Sequence, residues 1–449
     1  MKTLKMDILG SIIYILIEQI VVYYVNYLIS LQLTREQASI YFFATSILFV
    51  CANIFLLGGG SVILKYVPIL RKKFKSNFKS KLYDIFIYFL NVYLILFSII
   101  ILLDVVLFYF DRHKFNLWYD NVYNISGVFL FGAIFLTLHF YLNEFLRSFN
   151  KIIPLYSNIV LCFIIEVILF YTFKRFNLYF PLVHDHSANL LINFLILFVL
   201  NYLIPVITSA LYVKFKIFKK QPKKINNQFS VLEWRNDIKH YTLHNLQSNI
   251  NYFLIIILQL FSTNSYDAAN FSYFFGLIYL LQSISFISKG LFEYSISKYL
   301  VKSDYFGTRR FIRKSILALC IVISIIAYFY MTNADKLLRV FSLNNYDNYF
   351  RIFIIIWSLK TIFNPILGSF LLLYSKNSLK TYSITYNTSF VLLLLSSIVA
   401  TKFYNLIGMF NVSVFILFLF LFIEIFLYIY YINDFYKNRK NLANIDKNL

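Results

Sequence analysis

The chain has 449 residues, 60% of them hydrophobic and only 14% charged, and a formal net charge of +22. A soluble globular protein holds about 45–50% apolar and about 25% charged residues, so this composition excludes a water-soluble enzyme or binding module. Apolar runs of about 20 residues, enough to cross about 30 Å of hydrocarbon, recur from end to end, and they make the chain a polytopic membrane protein.

Twelve helices are predicted in chain order, at 8–29, 38–63, 83–108, 125–146, 152–173, 189–213, 242–262, 268–297, 315–331, 350–375, 381–401 and 407–432. Ile, Phe and Tyr are abundant in them, but lipid offers no partner for open strand edges, so runs this long are helices. Lysines precede the first run and no small-residue cleavage site follows it, which reads as a retained span rather than a signal peptide. With the N-terminus placed inside, the inner segments carry 32 Lys and Arg and the outer segments 9, with Lys360 left inside a span. An excess of this size fixes both termini on the cytoplasmic side. The dense basic run after the second span (Lys65, Arg71, Lys72, Lys73, Lys75, Lys79 and Lys81) is therefore a topology signal. Nucleic acid is not an expected partner, because the positive charge is dispersed over every second loop rather than gathered on one face. It suits anionic lipid instead.

The chain repeats internally. ASIYFFATSILFV from Ala38 resembles NFSYFFGLIYLLQ from Asn270, and ILKYV at 63–67 resembles ISKYL at 296–300. This divides the chain into an N-terminal six-helix bundle (1–213), a basic cytoplasmic linker (214–240), a C-terminal six-helix bundle (241–433) and a cytoplasmic tail (434–449). Two similar halves in the same orientation are a transporter architecture.

The segment LTREQASIYFFATSILFVCANIFLLGGGSVILKYVPILRKK supplies Leu57-Gly58, Lys65-Tyr66 and Pro68. It resembles the second-helix signature of the polysaccharide flippases, within the multidrug/oligosaccharidyl-lipid/polysaccharide exporter superfamily. LRSFNK at 146–151 looks like the Leu-Arg-Gly turn of that family with Ser148 in place of glycine. The span DAANFSYFFGLIYLLQSISFISKGLFEYSISKYL looks like its second repeat, without the proline often found before the final Ile-Ser. The resemblance implies an all-α polytopic membrane protein of twelve transmembrane helices, in two six-helix bundles around a central cavity. It also implies a flippase that moves an undecaprenyl-diphosphate-linked oligosaccharide, the repeat unit of an O-antigen or capsule, to the outer leaflet of a bacterial inner membrane by alternating access. Its partners would be membrane lipids, a polysaccharide polymerase and chain-length proteins. No cofactor is expected, and no G-x-x-x-x-G-K-[ST] loop is present. A coupling proton or sodium ion would drive the cycle.

Such a cargo needs a wet, cationic path for its head group, so intramembrane charges are the residues to inspect. Each costs roughly 2.5–3.5 kcal/mol at a helix centre and needs a partner or water. Lys360 lies near mid-bilayer, before Asn364-Pro365; it attracts a diphosphate or acidic sugar, or pairs with a glutamate. Lys289, beside Gly290, meets phosphate or snorkels, with Glu293 one turn on. In the layout of the family the first and seventh helices flank the cavity. Glu18 would then bind a coupling ion or partner a lysine, and Glu166 has a similar claim. His244, Gln247, Ser248 and Asn251 share one face of the seventh span. Asp84, Asn91 and Ser98 repeat every seven residues in the third. His139 suits helix-to-helix hydrogen bonding. Cys51, Cys162 and Cys320 have no metal-ligand spacing, and no metal site is expected.

Two alternatives stand beside the flippase. A cation-coupled multidrug exporter of the same superfamily would need an acidic binding lobe. A membrane-embedded polysaccharide polymerase or acyltransferase would need a catalytic loop. The outer loops are short, and His184 and His186 form no complete ligand set.

Overall fold

The computed structural model describes residues 20–60, 78–110, 122–149, 186–218 and 250–448, with shorter stretches between 62 and 70 and between 157 and 172, and single positions at 17 and 238. Every long described element is a helix, and no strand occurs among the described residues. In order they are α1 (Ile20–Gln32), α2 (Arg35–Phe55), α3 (Phe78–Phe110), α4 (Val122–Ser148), α5 (His186–Tyr212), α6 (Ile250–Phe261), α7 (Asp267–Leu277), α8 (Tyr279–Val301), α9 (Tyr305–Val340), α10 (Asp347–Tyr374) and α11 (Lys376–Asn448).

Local chemistry sets the ends. Thr34 caps α2 by accepting from the Gln37 amide at 3.3 Å, while the Gln37 side chain accepts from the Thr34 amide at 3.1 Å. This reciprocal box satisfies two amides that a bare helix end leaves open. Asp304 caps α9 through the Gly307 amide at 2.8 Å. The glycine run after α2 makes a turn, with Leu57 at φ 47° and Gly58 at φ 65°, where a side chain at Gly58 would be strained. A Cβ at Gly59 would stand 2.5 Å from Tyr93 Oη, and one at Gly60 2.6 Å from Glu144 Cγ. The glycines thus let α3 and α4 close on the turn, and Tyr93 seals it by donating to the Leu56 carbonyl at 2.9 Å.

Two predicted boundaries move. The eighth span is two helices, α7 and α8, separated at Ile278. The eleventh and twelfth spans are the two arms of α11, which reverses at Asn405, whose φ is 53°. Asn405 Oδ1 accepts from Thr263 N (3.1 Å), Thr263 Oγ1 (2.9 Å) and Ser262 Oγ (3.2 Å). The carboxylate of Asp267 accepts from Leu406 N (3.0 Å), Ser262 Oγ (2.7 Å) and Asn264 Nδ2 (2.8 Å). This polar knot ties the turn between two spans to the start of α7. The residues expected as a tail continue α11 to Asn448. Of the expected linker, 214–217 belong to a π turn that ends α5, and most of the rest lies outside the described residues.

Six of the described helical segments are long and apolar enough to cross a membrane. Their outward faces are apolar too: on α9, Leu317, Ile321, Ile325 and Tyr328 are 59–72% exposed. Water would not tolerate so continuous an apolar face, and lipid does. The chain is a multi-pass membrane protein.

In the N-terminal half α2, α4 and α5 pack together with α3 on α4; in the C-terminal half α8, α9 and α11 pack on α10. The halves meet where α2 lies against α6 and α7. Arg35 Nη1 donates to Asn270 Oδ1 at 3.0 Å, its Nη2 donates to the Phe341 carbonyl, and its guanidinium lies 5.1 Å from the Tyr273 ring centroid. Ala269 N donates to Ser39 Oγ at 3.0 Å, and Phe42 meets Tyr273 edge-on at 5.2 Å. These are the segments that the internal repeat pairs.

Candidate functional site

A small pocket opens inside the C-terminal half, between α6, α10 and α11. Its polar lining is Lys360, Asn364, Tyr386, Ser389 and Glu424, and its apolar lining includes Ile250, Phe390, Leu393 and Phe420. Lys360 and Asn364 are one turn apart on α10 and so share a face. Pro365 stays inside α10 rather than ending it, and Ser369 Oγ donates to its carbonyl.

Glu424 is 2% exposed. Its Oε1 accepts from Tyr382 Oη at 2.9 Å, and both oxygens lie 3.3 Å from Asn364 Nδ2. Tyr386 is in turn hydrogen-bonded to Asn364. The carboxylate comes this close to α10 because residue 368 is glycine: a Cβ there would sit 3.0 Å from Glu424 Oε1 and 2.9 Å from Tyr382 Oη. Lys360 Nζ lies 4.2 Å from the centroid of the Trp357 ring. The carboxylate of Glu424 acts on it across the pocket, but no described carboxylate stands in ion-pair contact with it. Of the glutamates, Glu424 is near Lys360, and the ammonium makes no ion-pair contact with it. A cation over an aromatic face, reaching into a cavity, can take an anionic group.

The other expected residues are distributed. Asn251 is buried on α6 beside Ile250, with its Nδ2 unpaired. Glu166 is buried in the helical stretch 164–169 and accepts from Asn201 Nδ2 of α5 at 3.2 Å. Asp84 and Asn91 are exposed on α3, on the face that also exposes Leu94 and Ile95, and they do not line the pocket. His139 is buried, its Nε2 2.8 Å from Asn143 Nδ2 and its ring 5.3 Å from that of Tyr202, which joins α4 to α5. Lys289 lies in α8, with its side chain outside the described set; Glu18, His244 and Gln247 lie outside the described residues. Of the expected charged residues whose side chains are described, Lys360 lines this pocket and Asp84 does not. Sequence reasoning missed Glu424. The signal was available: Glu424 is the one charged residue in the run LIGMFNVSVFILFLFLFIEIFLYIYY, and an isolated intramembrane charge is a functional candidate on the same ground as Lys360.

No protein-family model matches the chain, and no curated protein sequence does. Solved structures do match along its length. A crystal structure of MATE in complex with MaL6 is similar with a TM-score of 0.67, covering 96% of this chain and 97% of that one at 13% identity. The fold is that of the MATE transporters. An outward-facing conformation of a multidrug resistance MATE family transporter of the MOP superfamily is similar at TM-score 0.65, covering 96% of each chain at 12% identity. A MOP superfamily transporter from Pyrococcus furiosus, for which reverse polarity of the binding pocket suggests a different function, is similar at TM-score 0.63, covering 96% of each chain at 15% identity. The expected fold class, helical bundles in two halves, is thus met by the MATE fold. The expected likeness to the superfamily is met at the level of fold, while the polysaccharide-flippase family is not reached by these neighbours.

Proposed function

We propose that the protein is a membrane exporter working by alternating access, with no enzymatic step of its own. The observation that carries this reading is the MATE fold over 96% of the chain. Two cargo classes follow. Cation-coupled export of amphipathic drug-like compounds has the structural neighbours behind it, one of them a multidrug resistance transporter, and on that ground it is the better supported. Flipping of an undecaprenyl-diphosphate-linked oligosaccharide in a bacterial inner membrane, with both termini inside, has two features of the chain behind it. These are the second-helix signature and the ammonium of Lys360 at a pocket, over the Trp357 ring. Buried acidic groups that could serve an exporter of cationic compounds include Glu166 and Glu424, one in each half.

Proteoliposomes separate the readings. Efflux of a fluorescent organic cation driven by an imposed proton or sodium gradient is the result expected for the drug exporter. Leaflet exchange of a fluorescent lipid-linked oligosaccharide faster than in empty liposomes is the result expected for the flippase. Movement of neither cargo overturns the transporter reading.

A further inference from the structure

The Lys360 pocket holds a cation and a carboxylate that act on each other without touching. Lys360 keeps its ammonium over Trp357, and Glu424 is held away by Tyr382 and Asn364. Among the described residues, the charged and titratable groups around Glu424 include Lys360 on α10, Tyr382 and Tyr386 on α11, and Glu293 on α8, whose charge acts on Tyr382. From this arrangement we propose that the pocket is a proton-gated anion site: Lys360 receives a phosphate-like anionic group of the cargo, and protonation of Glu424 admits it.

With Glu424 ionised, the lysine and glutamate charges cancel, and an entering anion meets a carboxylate in a medium of low dielectric constant. Repulsion between like charges is strong there. When Glu424 takes one proton from solvent, the pocket gains one unit of positive charge and nothing else is consumed. The resulting acid still accepts from Tyr382 at its carbonyl oxygen and gains a donor of its own. The step couples proton entry to anion binding in the same pocket. Buried acids that pair with intramembrane charges serve as proton relays on the same principle. The proposal rests on the transporter reading only in naming the anion as cargo; the site itself is tested by binding.

Sulfate is the probe, because it stays a dianion across mildly acidic and mildly alkaline pH. The full chain carries Trp118→Phe and Trp234→Phe, leaves Trp357 as its one indole, and is reconstituted in nanodiscs of zwitterionic lipid. Sulfate draws the ammonium off the ring and shifts the Trp357 emission. Binding is expected to be about tenfold tighter at the acidic pH, the effect of removing one like-charge contact. Glu424→Gln binds at least as tightly as the acidic parent and without pH dependence. Glu424→Asp retains the pH dependence, which guards against a folding artefact, and Lys360→Gln abolishes binding. A Glu424→Gln variant with the pH dependence of its parent, or a Lys360→Gln variant that still binds, overturns the proposal. Competition by added phosphatidylglycerol assigns the site to lipid head groups and overturns its role in cargo binding. Sulfate binding as expected without movement of any cargo leaves the site standing and removes the transporter reading; cargo movement without sulfate binding does the reverse.

Discussion

Two buried carboxylates, one in each half, keep different company. Among the described residues Glu166 has one amide donor, Asn201 at 3.2 Å, and its charge acts on the phenol of Tyr41. Glu424 has a phenol at 2.9 Å, an amide at 3.3 Å and a lysine across a cavity. The difference lies in the side chains that surround each carboxylate. A carboxylate with few donors is a group the fold tolerates; a carboxylate braced by two donors beside a cation is one the fold positions. On the proposed reading, binding chemistry lies in the C-terminal half, and Glu166 sits between helices beside Asn201.

Substitutions can break that asymmetry, and the largest effect is expected at Glu424. Glu424→Leu strands the donors of Tyr382 and Asn364 in an apolar interior, and each stranded group costs about 1–3 kcal/mol. The thermal unfolding midpoint in detergent should fall clearly, while Glu424→Gln, which still accepts from both, should stay near the parent. Equal midpoints for the leucine and glutamine variants would show that the bracing is incidental. Next comes Gly368→Ala. Its methyl would sit within 3.0 Å of both Tyr382 Oη and Glu424 Oε1, and overpacking of this kind costs about 1–3 kcal/mol. The specific expectation is that sulfate affinity at Lys360 changes along with stability, because the carboxylate is pushed toward the pocket. A stability loss with unaltered affinity would separate Gly368 from the site.

How much of this was legible in the sequence follows from the physics of each feature. The spans were legible because lipid demands length and apolarity, which a single chain records locally. Lys360 was legible for the same reason: a charge in a hydrocarbon run stands out against its neighbours. The break at Ile278 was not, since no proline marks it and Gly276 alone is a weak signal. Nor was the reach of Glu424 to Asn364, because that pairing depends on which helices adjoin, and one sequence carries no record of adjacency. The role of Gly368 was hidden as well. A glycine in a span reads as a flexible residue until the atoms that press on it are known.

The smallest expected effect lies at Glu166, and it sharpens the comparison most. Glu166→Gln keeps an oxygen to accept from Asn201 and removes the charge from a buried site with no described cation in contact. Removing an unpaired buried charge relieves a desolvation cost, so stability should change by less than about 1 kcal/mol or rise. If Glu166 carries the coupling ion, as its isolation in the fifth span suggests, the same substitution abolishes gradient-driven transport in proteoliposomes while sulfate binding at Lys360 persists. Retained gradient-driven transport in Glu166→Gln, together with its loss in Glu424→Gln, would put proton coupling and anion binding in the C-terminal half alone. The opposite pattern would divide them between the two halves, with the ion taken in one and the cargo in the other.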